Sequence, residues 1–259
     1  MLTEVKGLVV RTVALSDNDK LLTLITEEQG KITAVANGSR VLKSRYLAAA
    51  QLFCYGSYVL YQRGERYWVR EVTLLESFFD LRADLTRTAL ASYVCDVADD
   101  VVEEQAPEKE FLRLLLNTLY AISHGKYPAE HIRAAFEMRA AALLGFMPLL
   151  YGCVECGCRT GEFFLDVMNG TLQCSTCRAR GLQVDTPSEE EGTARILCPL
   201  SPSALEAMRY TVSALPERLF SFRLLGQDMV LFSNAAEKYL LHHLERGFRS
   251  LDFYKEVAQ

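Results

Sequence analysis

The sequence lacks the features of secreted and membrane proteins. Its first residues, MLTEVKGLVV, carry a Glu and a Lys before a short apolar run, so they do not form a secretory signal. No uninterrupted apolar run reaches the roughly 18 to 20 residues that a membrane span needs. A cytosolic, reducing location without membrane attachment is therefore expected, where paired cysteines are more often metal-binding or catalytic than disulfide-forming.

Catalytic motifs are also missing. The four histidines, at positions 124, 131, 242 and 243, form neither an HExxH motif nor a triad context. The chain has no Walker loop and no dinucleotide-binding glycine motif, which removes support for ATP hydrolysis and hydride transfer. The sequence therefore predicts a protein that is not an enzyme.

Charge is distributed unevenly along the chain. The composition is that of an ordinary globular protein, with 50% hydrophobic and 24% charged residues and a net charge of −5. Residues 31–70 nevertheless contain seven basic side chains and one acidic side chain, whereas residues 71–126 contain eleven acidic and five basic side chains. The first segment should attract polyanions and the second should repel them.

Residues 1–80 have the pattern of short strands separated by turn signals, which suits a small closed barrel of about five strands. Within them, SYVLYQRGERYWVREV predicts a hairpin that turns near Gly64. Helical spacing follows from residue 81 to residue 104. Pro107 should then open a helix that Gly125 ends, and Pro128 and Gly145 should bracket a third helix.

The C-terminal part should be helical again. Ser201 is a predicted N-cap with Pro202 at the first helical position, and Ser233 is a predicted N-cap for SNAAEKYLLHHLERG. The preceding stretch SEEEGTA, residues 188–194, is predicted to be an exposed loop.

Five of the eight cysteines fall in CVECGCRTGEFFLDVMNGTLQCSTC. Cys153 and Cys156 form one CxxC pair, Cys174 and Cys177 form another, and seventeen residues separate the pairs. This spacing predicts a four-thiolate zinc site, with a hairpin turning at Asn169-Gly170 between the two pairs. Four thiolates close the shell of the ion, so the zinc is expected to be structural.

Cys158 competes as a ligand within this segment, but a single intervening residue fits the tight turn less well, and we treat it as a spare thiol. A thioredoxin-like role lacks its βαβ pattern, and a zinc deaminase lacks its His/Cys-x-Glu motif. Cys54, Cys95 and Cys198 stand alone in apolar settings and are interpreted as core residues.

The basic segment has both groups that hold single-stranded nucleic acid, namely cations and aromatic rings. Lys31, Arg40, Lys43 and Arg45 lie within fifteen residues without an acid among them, which favours a binding role. Strand alternation places Arg66, Trp68 and Arg70 on one face. Trp68 has two interpretations, as a stacking platform or as a side chain that fills the barrel.

Several segments together resemble one family. VKGLVVRTVALSDNDKLLTLITEEQGKITAVANGSRVLKSR is similar to the N-terminal barrel of the RecO recombination mediators. FEMRAAALLGFMPLLYGCVECG resembles the central helix of that family and its first cysteine turn, and ERGFRSLDFYKE resembles its C-terminal helix. The resemblance covers essentially the whole chain.

The resemblance implies an α+β fold: an OB-fold barrel over residues 1–80, a helical domain over 81–150 and 182–259, and an inserted zinc module over 151–181. It implies binding of single- and double-stranded DNA, annealing of complementary strands, and work with RecR in loading RecA onto DNA coated by single-strand binding protein, with RecF as a further partner. The location would be the nucleoid.

The same resemblance assigns residues to these roles. Lys31, Arg40, Lys43 and Arg45 would contact DNA, and Cys153, Cys156, Cys174 and Cys177 would hold Zn²⁺. The helical domain of this family also receives the acidic tail of single-strand binding protein, for which Arg113, Arg133 and Arg139 are candidates.

Two other functions stay open from the residues alone. A zinc-containing adaptor, whose barrel binds a protein instead of DNA, is consistent with the overall acidity. A zinc-dependent hydrolase or nuclease is opposed by the closed four-cysteine shell and by the missing histidine and carboxylate cluster.

Overall fold

The computed structural model describes residues 2–64, 66–180 and 195–258. Within this part of the chain, internal contacts define two compact units, one formed by residues 1–126 with 248–259 and the other by residues 127–247. The acidic stretch predicted to be an exposed loop, residues 188–194, lies outside the described residues.

The first unit begins with a closed five-stranded barrel. Its order is β1-β2-β3-β5-β4, and all neighbours are antiparallel except β3 and β5. A register shift between Val9 and Arg11 lies in the long first strand, which pairs with β2 and β4. This topology is that of an OB-fold, as predicted. The strands are β1 Leu2–Ala14, β2 Lys20–Thr26, β3 Gly30–Ala36, β4 Tyr55–Arg63 and β5 Arg66–Glu76.

Alternating side chains fill the barrel. Leu22, Leu24, Ile32 and Leu60 belong to one buried cluster, and the residues between them face outward. The connection between β3 and β4 contributes Ala50 and Cys54 to the same cluster. The hydroxyl of buried Tyr58 donates to the carbonyl of Ala49 at 2.9 Å, and burial raises its pKa.

Helices follow the barrel in the first unit. A 3₁₀ turn, Phe79–Ala83, precedes α1 at Leu85–Val101, whose N-cap Asp84 accepts from the backbone N–H of Arg87. The next helix, α2 at Lys109–His124, begins two residues after the predicted Pro107 and ends at Gly125 with φ of 62°, as predicted.

The second unit combines helices with a four-stranded sheet of order β6-β8-β7-β9. The hairpin of β7 and β8 turns through Gly170 at φ of 63°, which confirms the hairpin predicted between the cysteine pairs. The helices and strands of the second unit are α3 Ala129–Leu143, β6 Leu149–Cys153, β7 Phe163–Asp166, β8 Thr171–Cys174, α4 Ser175–Ala179, β9 Leu197–Leu200, α5 Pro202–Ser213 and α6 Gly226–His243.

One of the two predicted serine caps is present. Ser201 accepts from the backbone N–H of Ala204 at 3.1 Å and caps α5 with Pro202 at the first turn, as predicted. The cap at Ser233 was a wrong prediction, because α6 begins at Gly226 and Ser233 is buried inside it. Its hydroxyl accepts a hydrogen bond from Arg133 instead, at 2.5 Å.

The chain ends with α7, Arg249–Val257, which returns to the first unit and packs on α1. Tyr93 and Phe248 meet there edge to face, with ring centroids 5.7 Å apart. No helix in the described ranges is long and apolar enough to span a membrane.

Candidate nucleic-acid surface and metal centre

An open cleft of about 430 Å³ lies on the outer face of the barrel. Three aromatic rings and three arginines contribute to its lining, and none of the described lining residues is acidic. The lining residues are Asn37, Arg45, Tyr46, Tyr61, Arg63, Trp68, Val69 and Arg70. We call this feature the barrel cleft.

Strand register assembles the barrel cleft. Tyr61 on β4 pairs with Trp68 on β5, and Val35 on β3 pairs with Trp68 from the other side. Val69 belongs to the barrel core, so Trp68 and its alternate neighbour Arg70 face outward. Trp68 is half-buried on this outer face and is not part of the buried barrel cluster.

A small hydrogen-bond network holds the floor of the cleft. One terminal nitrogen of Arg45 donates to the hydroxyl of Tyr46 at 2.5 Å and to the carbonyl of Arg70 at 2.9 Å. The hydroxyl of Tyr46 donates to the same carbonyl. The Arg45 guanidinium lies 4.8 Å from the Tyr46 ring centre, and the Arg70 guanidinium lies 5.0 Å from that of Tyr61. The cations therefore rest on aromatic faces.

The other predicted DNA contacts are placed differently. Arg40 is exposed and donates to the carbonyl of Ser16 at 2.7 Å. Lys43 and Arg66 are also exposed, and each is two positions along the chain from a residue that lines the cleft. Lys31 does not line the cleft. Its ammonium group donates to the carbonyl of Asp99 on α1 at 2.6 Å and lies 3.9 Å from the carboxylate of that residue. Lys31 therefore supports the packing of α1 on the barrel.

Sequence reasoning did not assign five of the lining residues to the site: Asn37, Tyr46, Tyr61, Arg63 and Val69. Tyr61 and Arg63 follow from the hairpin register, since a short turn at Gly64 pairs Arg63 with Arg66 and Tyr61 with Trp68. No local signal identifies Tyr46, because its position depends on how the long β3–β4 connection folds back onto β5.

The five clustered cysteines meet in the second unit. The sulfurs of Cys153, Cys156, Cys158 and Cys174 all lie within 4.8 Å of one another. Cys177 belongs to a second group that shares Cys153 with the first. In this group the sulfurs of Cys153 and Cys177 and a carboxylate oxygen of Glu155 lie within 4.8 Å of one another. The structure therefore brings together all four predicted ligands and the spare thiol.

The spacing of these sulfurs fits a tetrahedral metal ion. Four bonds of about 2.3 Å in a tetrahedron place neighbouring sulfurs about 3.8 Å apart. The sulfurs of Cys156 and Cys174 are 3.7 Å apart. Backbone N–H groups also point at the cluster: that of Cys177 lies 3.3 Å from the Cys174 sulfur, and that of Cys174 lies 3.4 Å from the Cys153 sulfur.

These contacts favour the thiolate form of Cys174 and Cys156, whereas burial raises the pKa of Cys158 and Cys177. The N–H of Cys177 stabilises ionised Cys174 and lowers the pKa of this thiol to about 6. The pKa of Cys156 is lowered in the same way by the backbone N–H of Cys158. The donor set is thus soft, close-packed and partly ionised, and it can bind a metal ion. The remaining cysteines, Cys54, Cys95 and Cys198, are buried, which confirms them as core residues.

The three candidate partner arginines differ in exposure. Arg113 is exposed on α2. Arg139 is half-buried and donates to the carbonyl of Val212 at 2.5 Å. Arg133 is only 3% exposed and contacts three carboxylates, with distances of 2.9 Å to Glu137, 3.0 Å to Glu130 and 2.7 Å to Glu237. Arg133 is already paired inside the unit, so we do not retain it as a contact for a partner.

His131 also has a structural environment. Its ring stacks on Phe222 with centroids 4.1 Å apart, and its Nε2 lies 3.2 Å from the carbonyl of Phe220. Burial lowers the pKa of this histidine.

The fold and these two sites define an OB-fold protein with a candidate nucleic-acid surface and a candidate metal centre. The family model "Recombination protein O N terminal" matches residues 1–78, and "Recombination protein O C terminal" matches residues 82–252. The chain therefore belongs to the RecO family of DNA repair proteins.

Curated relatives extend this result over the whole chain. The DNA repair protein RecO of Symbiobacterium thermophilum is 33% identical over 257 residues, with 97% of this chain and 96% of the relative covered. That of Acetivibrio thermocellus is 30% identical over 251 residues, which cover 97% of this chain and 95% of the relative. That of Alkaliphilus metalliredigens is 27% identical and covers 99% and 100%.

Proposed function

We propose that the protein is a non-enzymatic recombination mediator that binds single- and double-stranded DNA through its barrel. In this proposal it anneals complementary strands and, with RecR, promotes loading of RecA onto DNA coated by single-strand binding protein, in the nucleoid. Membership of a DNA repair family supports the proposal. The observation that carries it is the barrel cleft, where aromatic rings and arginines share one surface free of acids among its described lining residues.

Charge reversal tests the DNA-binding part. Lys43 and Arg66 are exposed and outside the Arg45 network, so Lys43→Glu and Arg66→Glu should leave folding intact. Fluorescence anisotropy with a labelled single strand should show weaker binding for both variants, because each reversal removes one phosphate contact and adds repulsion. Unchanged affinity in both variants contradicts the assignment of this surface.

Annealing is tested separately. Two complementary labelled strands, each coated with single-strand binding protein, should pair faster when the purified protein is added, and Lys43→Glu should be slower than the parent. If the parent binds DNA without accelerating pairing, annealing is removed from the proposal. If it binds no DNA at any salt concentration, the adaptor hypothesis replaces the mediator.

Partner binding is the next part of the proposal. RecR, RecF, RecA and the acidic tail of single-strand binding protein are the partners that family membership suggests. For the tail, Arg113 is the first residue to test, because its side chain is exposed, whereas that of Arg139 is half-buried. Arg113→Glu should weaken binding of a peptide with the tail sequence in a calorimetric titration, and an unaffected variant removes Arg113 from the site.

We also propose that the metal is a structural Zn²⁺ held by Cys153, Cys156, Cys174 and Cys177. Bound zinc would supply four strong cross-links among β6, the hairpin and α4, with no open position for chemistry. The N–H of Cys177 on the Cys174 sulfur supports the second CxxC pair. The close group that contains Cys158 favours a second ligand set, in which Cys158 replaces Cys177.

Paired serine variants distinguish the two ligand sets. Metal analysis of the parent should give about one zinc per chain. Cys177→Ser should lose the metal and Cys158→Ser should retain it if the CxxC pairs are the ligands, and the opposite pattern assigns Cys158.

In functional terms, we propose three parts: residues 1–80 bind DNA, residues 151–181 hold zinc, and residues 81–150 with 182–259 form the helical platform.

A further inference from the structure

Two of the eight cysteines, all of which the structure describes, are accessible from the surface, and they lie in one short loop. Cys156 is exposed and Cys158 is half-buried, whereas the other six are buried. Gly157 lies between them with φ of 72°, and no described atom lies within 4 Å of the position that a Cβ would take there. A small oxidant in solution therefore meets this loop before it meets any other thiol.

Backbone hydrogen bonds hold Cys158 against the cluster of sulfurs. The N–H of Cys153 donates to the carbonyl of Cys158 at 2.8 Å, and the N–H of Gly157 donates to the carbonyl of Cys153 at 2.8 Å. The sulfur of Cys158 lies within 4.8 Å of those of Cys156 and Cys174. Four thiolates complete a tetrahedral zinc site, so this fifth thiol has no metal bond in the proposed CxxC ligand set.

We infer that Cys156 and Cys158 form a redox modification site, at which a hydroperoxide converts the two thiols into a disulfide and opens the zinc site. This inference rests on the proposed zinc site with the two CxxC pairs as ligands, and it does not depend on DNA binding. It gives the fifth thiol a role that a structural metal alone does not require.

The reaction has two steps. The Cys156 sulfur, ionised as a metal ligand, attacks one oxygen of the peroxide. A sulfur–oxygen bond forms, the oxygen–oxygen bond breaks, and the leaving hydroxide or alkoxide takes up a proton from water. The Cys158 sulfur then attacks the sulfenic sulfur, and the sulfenic hydroxyl leaves with the thiol proton as water. The two sulfurs together lose two electrons, and these reduce the peroxide.

Cys174 is the competing partner for the sulfenic acid, because its sulfur lies 3.7 Å from that of Cys156. Cys174 is buried and is a ligand in the proposed site, so its attack would break a second metal–sulfur bond. Cys158 reacts without that loss. The resulting disulfide closes a small ring over one intervening glycine on the surface, and strained or exposed disulfides are the readily reduced ones.

The oxidised protein should lose its metal and stay folded. Loss of Cys156 as a ligand leaves three thiolates for the ion, which lowers the affinity of the site. Backbone hydrogen bonds still join β6 to the hairpin, from the N–H of Leu149 to Gly170 at 2.7 Å and from that of Val154 to Leu172 at 2.8 Å. The melting temperature should therefore fall on oxidation and recover when a thiol reductant and zinc are supplied.

The test uses the full-length, zinc-loaded protein. Hydrogen peroxide is added in the presence of a chromogenic zinc chelator, and disulfides are mapped by mass spectrometry of peptides. We expect release of about one zinc per chain and a linkage of Cys156 to Cys158. Reduction with dithiothreitol after removal of the chelator should restore zinc binding.

A matched pair of variants isolates the fifth thiol. Cys158→Ser should contain as much zinc as the parent before oxidation. After peroxide, Cys156 in this variant should give a dimedone adduct and then a sulfinic acid, which thiol reductants do not reverse, so less zinc should rebind than in the parent. Cys198→Ala removes a buried thiol outside the cluster and should behave as the parent does. Thermal melts show that each variant is folded.

The outcomes separate this inference from the proposals before it. A parent without zinc removes the metal site and this inference together. Loss of zinc from Cys158→Ser before oxidation identifies Cys158 as a ligand, which overturns the inference and leaves a metal site. Retention of zinc under peroxide, or a linkage of Cys156 to Cys174 in the parent, overturns the inference alone. DNA binding is measured independently by anisotropy, so its failure does not count against the redox site.

Discussion

Neutralising the exposed cations of the barrel surface one at a time should reduce the salt dependence of single-strand binding in equal steps. Six cations on or beside the barrel cleft are exposed and available to phosphates. They are Arg40, Lys43, Arg45, Arg63, Arg66 and Arg70. Lys31 is excluded because it is half-buried and its ammonium group lies 3.9 Å from the carboxylate of Asp99, which offsets its charge.

The size of the effect follows from counterion release. For single strands the slope of log affinity against log salt is about −0.7 per neutralised phosphate, so six contacts give a slope of about −4.2. Raising salt from about 50 to about 200 mM should then lower affinity about 300-fold. Lys43→Gln leaves five contacts, a slope of about −3.5 and a fall of about 130-fold.

The assay is anisotropy of a labelled single strand at four salt concentrations, for the parent, Lys43→Gln, Arg66→Gln and Lys31→Gln. The first two variants should each flatten the slope by about 0.7, and Lys31→Gln should leave it unchanged. A parent slope shallower than about −1 refutes the electrostatic surface. A flattened slope for Lys31→Gln refutes the assignment of this lysine to the contact with α1.

Three further predictions concern the second unit. Arg133→Met should destabilise the protein by about 3–5 kcal/mol in urea unfolding, because the fully buried carboxylate of Glu137 loses the guanidinium that offsets its charge, and the double variant Arg133→Met/Glu137→Leu should recover most of this loss. If the changes in the free energy of unfolding caused by the two single substitutions simply add in the double variant, the pairing of Arg133 with Glu137 is contradicted. Removing the proposed Zn²⁺ with a chelator should lower the melting temperature of the parent, and an unchanged melt after verified metal loss contradicts a structural role. Burial lowers the pKa of His131 in the folded protein, so the unfolded state binds more protons below about pH 6.5. The free energy of unfolding therefore decreases as the pH decreases through that window. His131→Phe should show a smaller loss between pH 7.5 and 5.5 by urea unfolding, and an identical loss contradicts this origin.

Local patterns were sufficient to predict the barrel, the hairpins and most helix ends. The hairpin of β4 and β5 follows from β-favouring residues on both sides of Gly64, and the end of α2 follows from Gly125. Pairing and capping of this kind depend on residues close together in sequence. The paired spacing of Cys153, Cys156, Cys174 and Cys177 likewise predicted one shared cluster.

Features that depend on distant residues were not accessible in this way. Arg133 has the sequence context of a solvated helix residue, yet α6 supplies Glu237 and Ser233, which enclose it. Tyr46 reaches the Arg70 carbonyl only because a connection of eighteen residues, 37–54, folds back on the barrel. Spacing alone also could not show that Cys158 lies as close to the cluster as the paired cysteines do.

The return of α7 to the first unit has a consequence for folding during synthesis. The ribosome must produce all of residues 127–247 before α7 emerges, so the second unit can complete its fold while the first still lacks a helix. Until then the face of α1 that contains Tyr93 has no Phe248 to cover it. The nascent chain therefore exposes an apolar helix face throughout this interval, and deletion of α7 should make that transient exposure permanent and the first unit prone to aggregation.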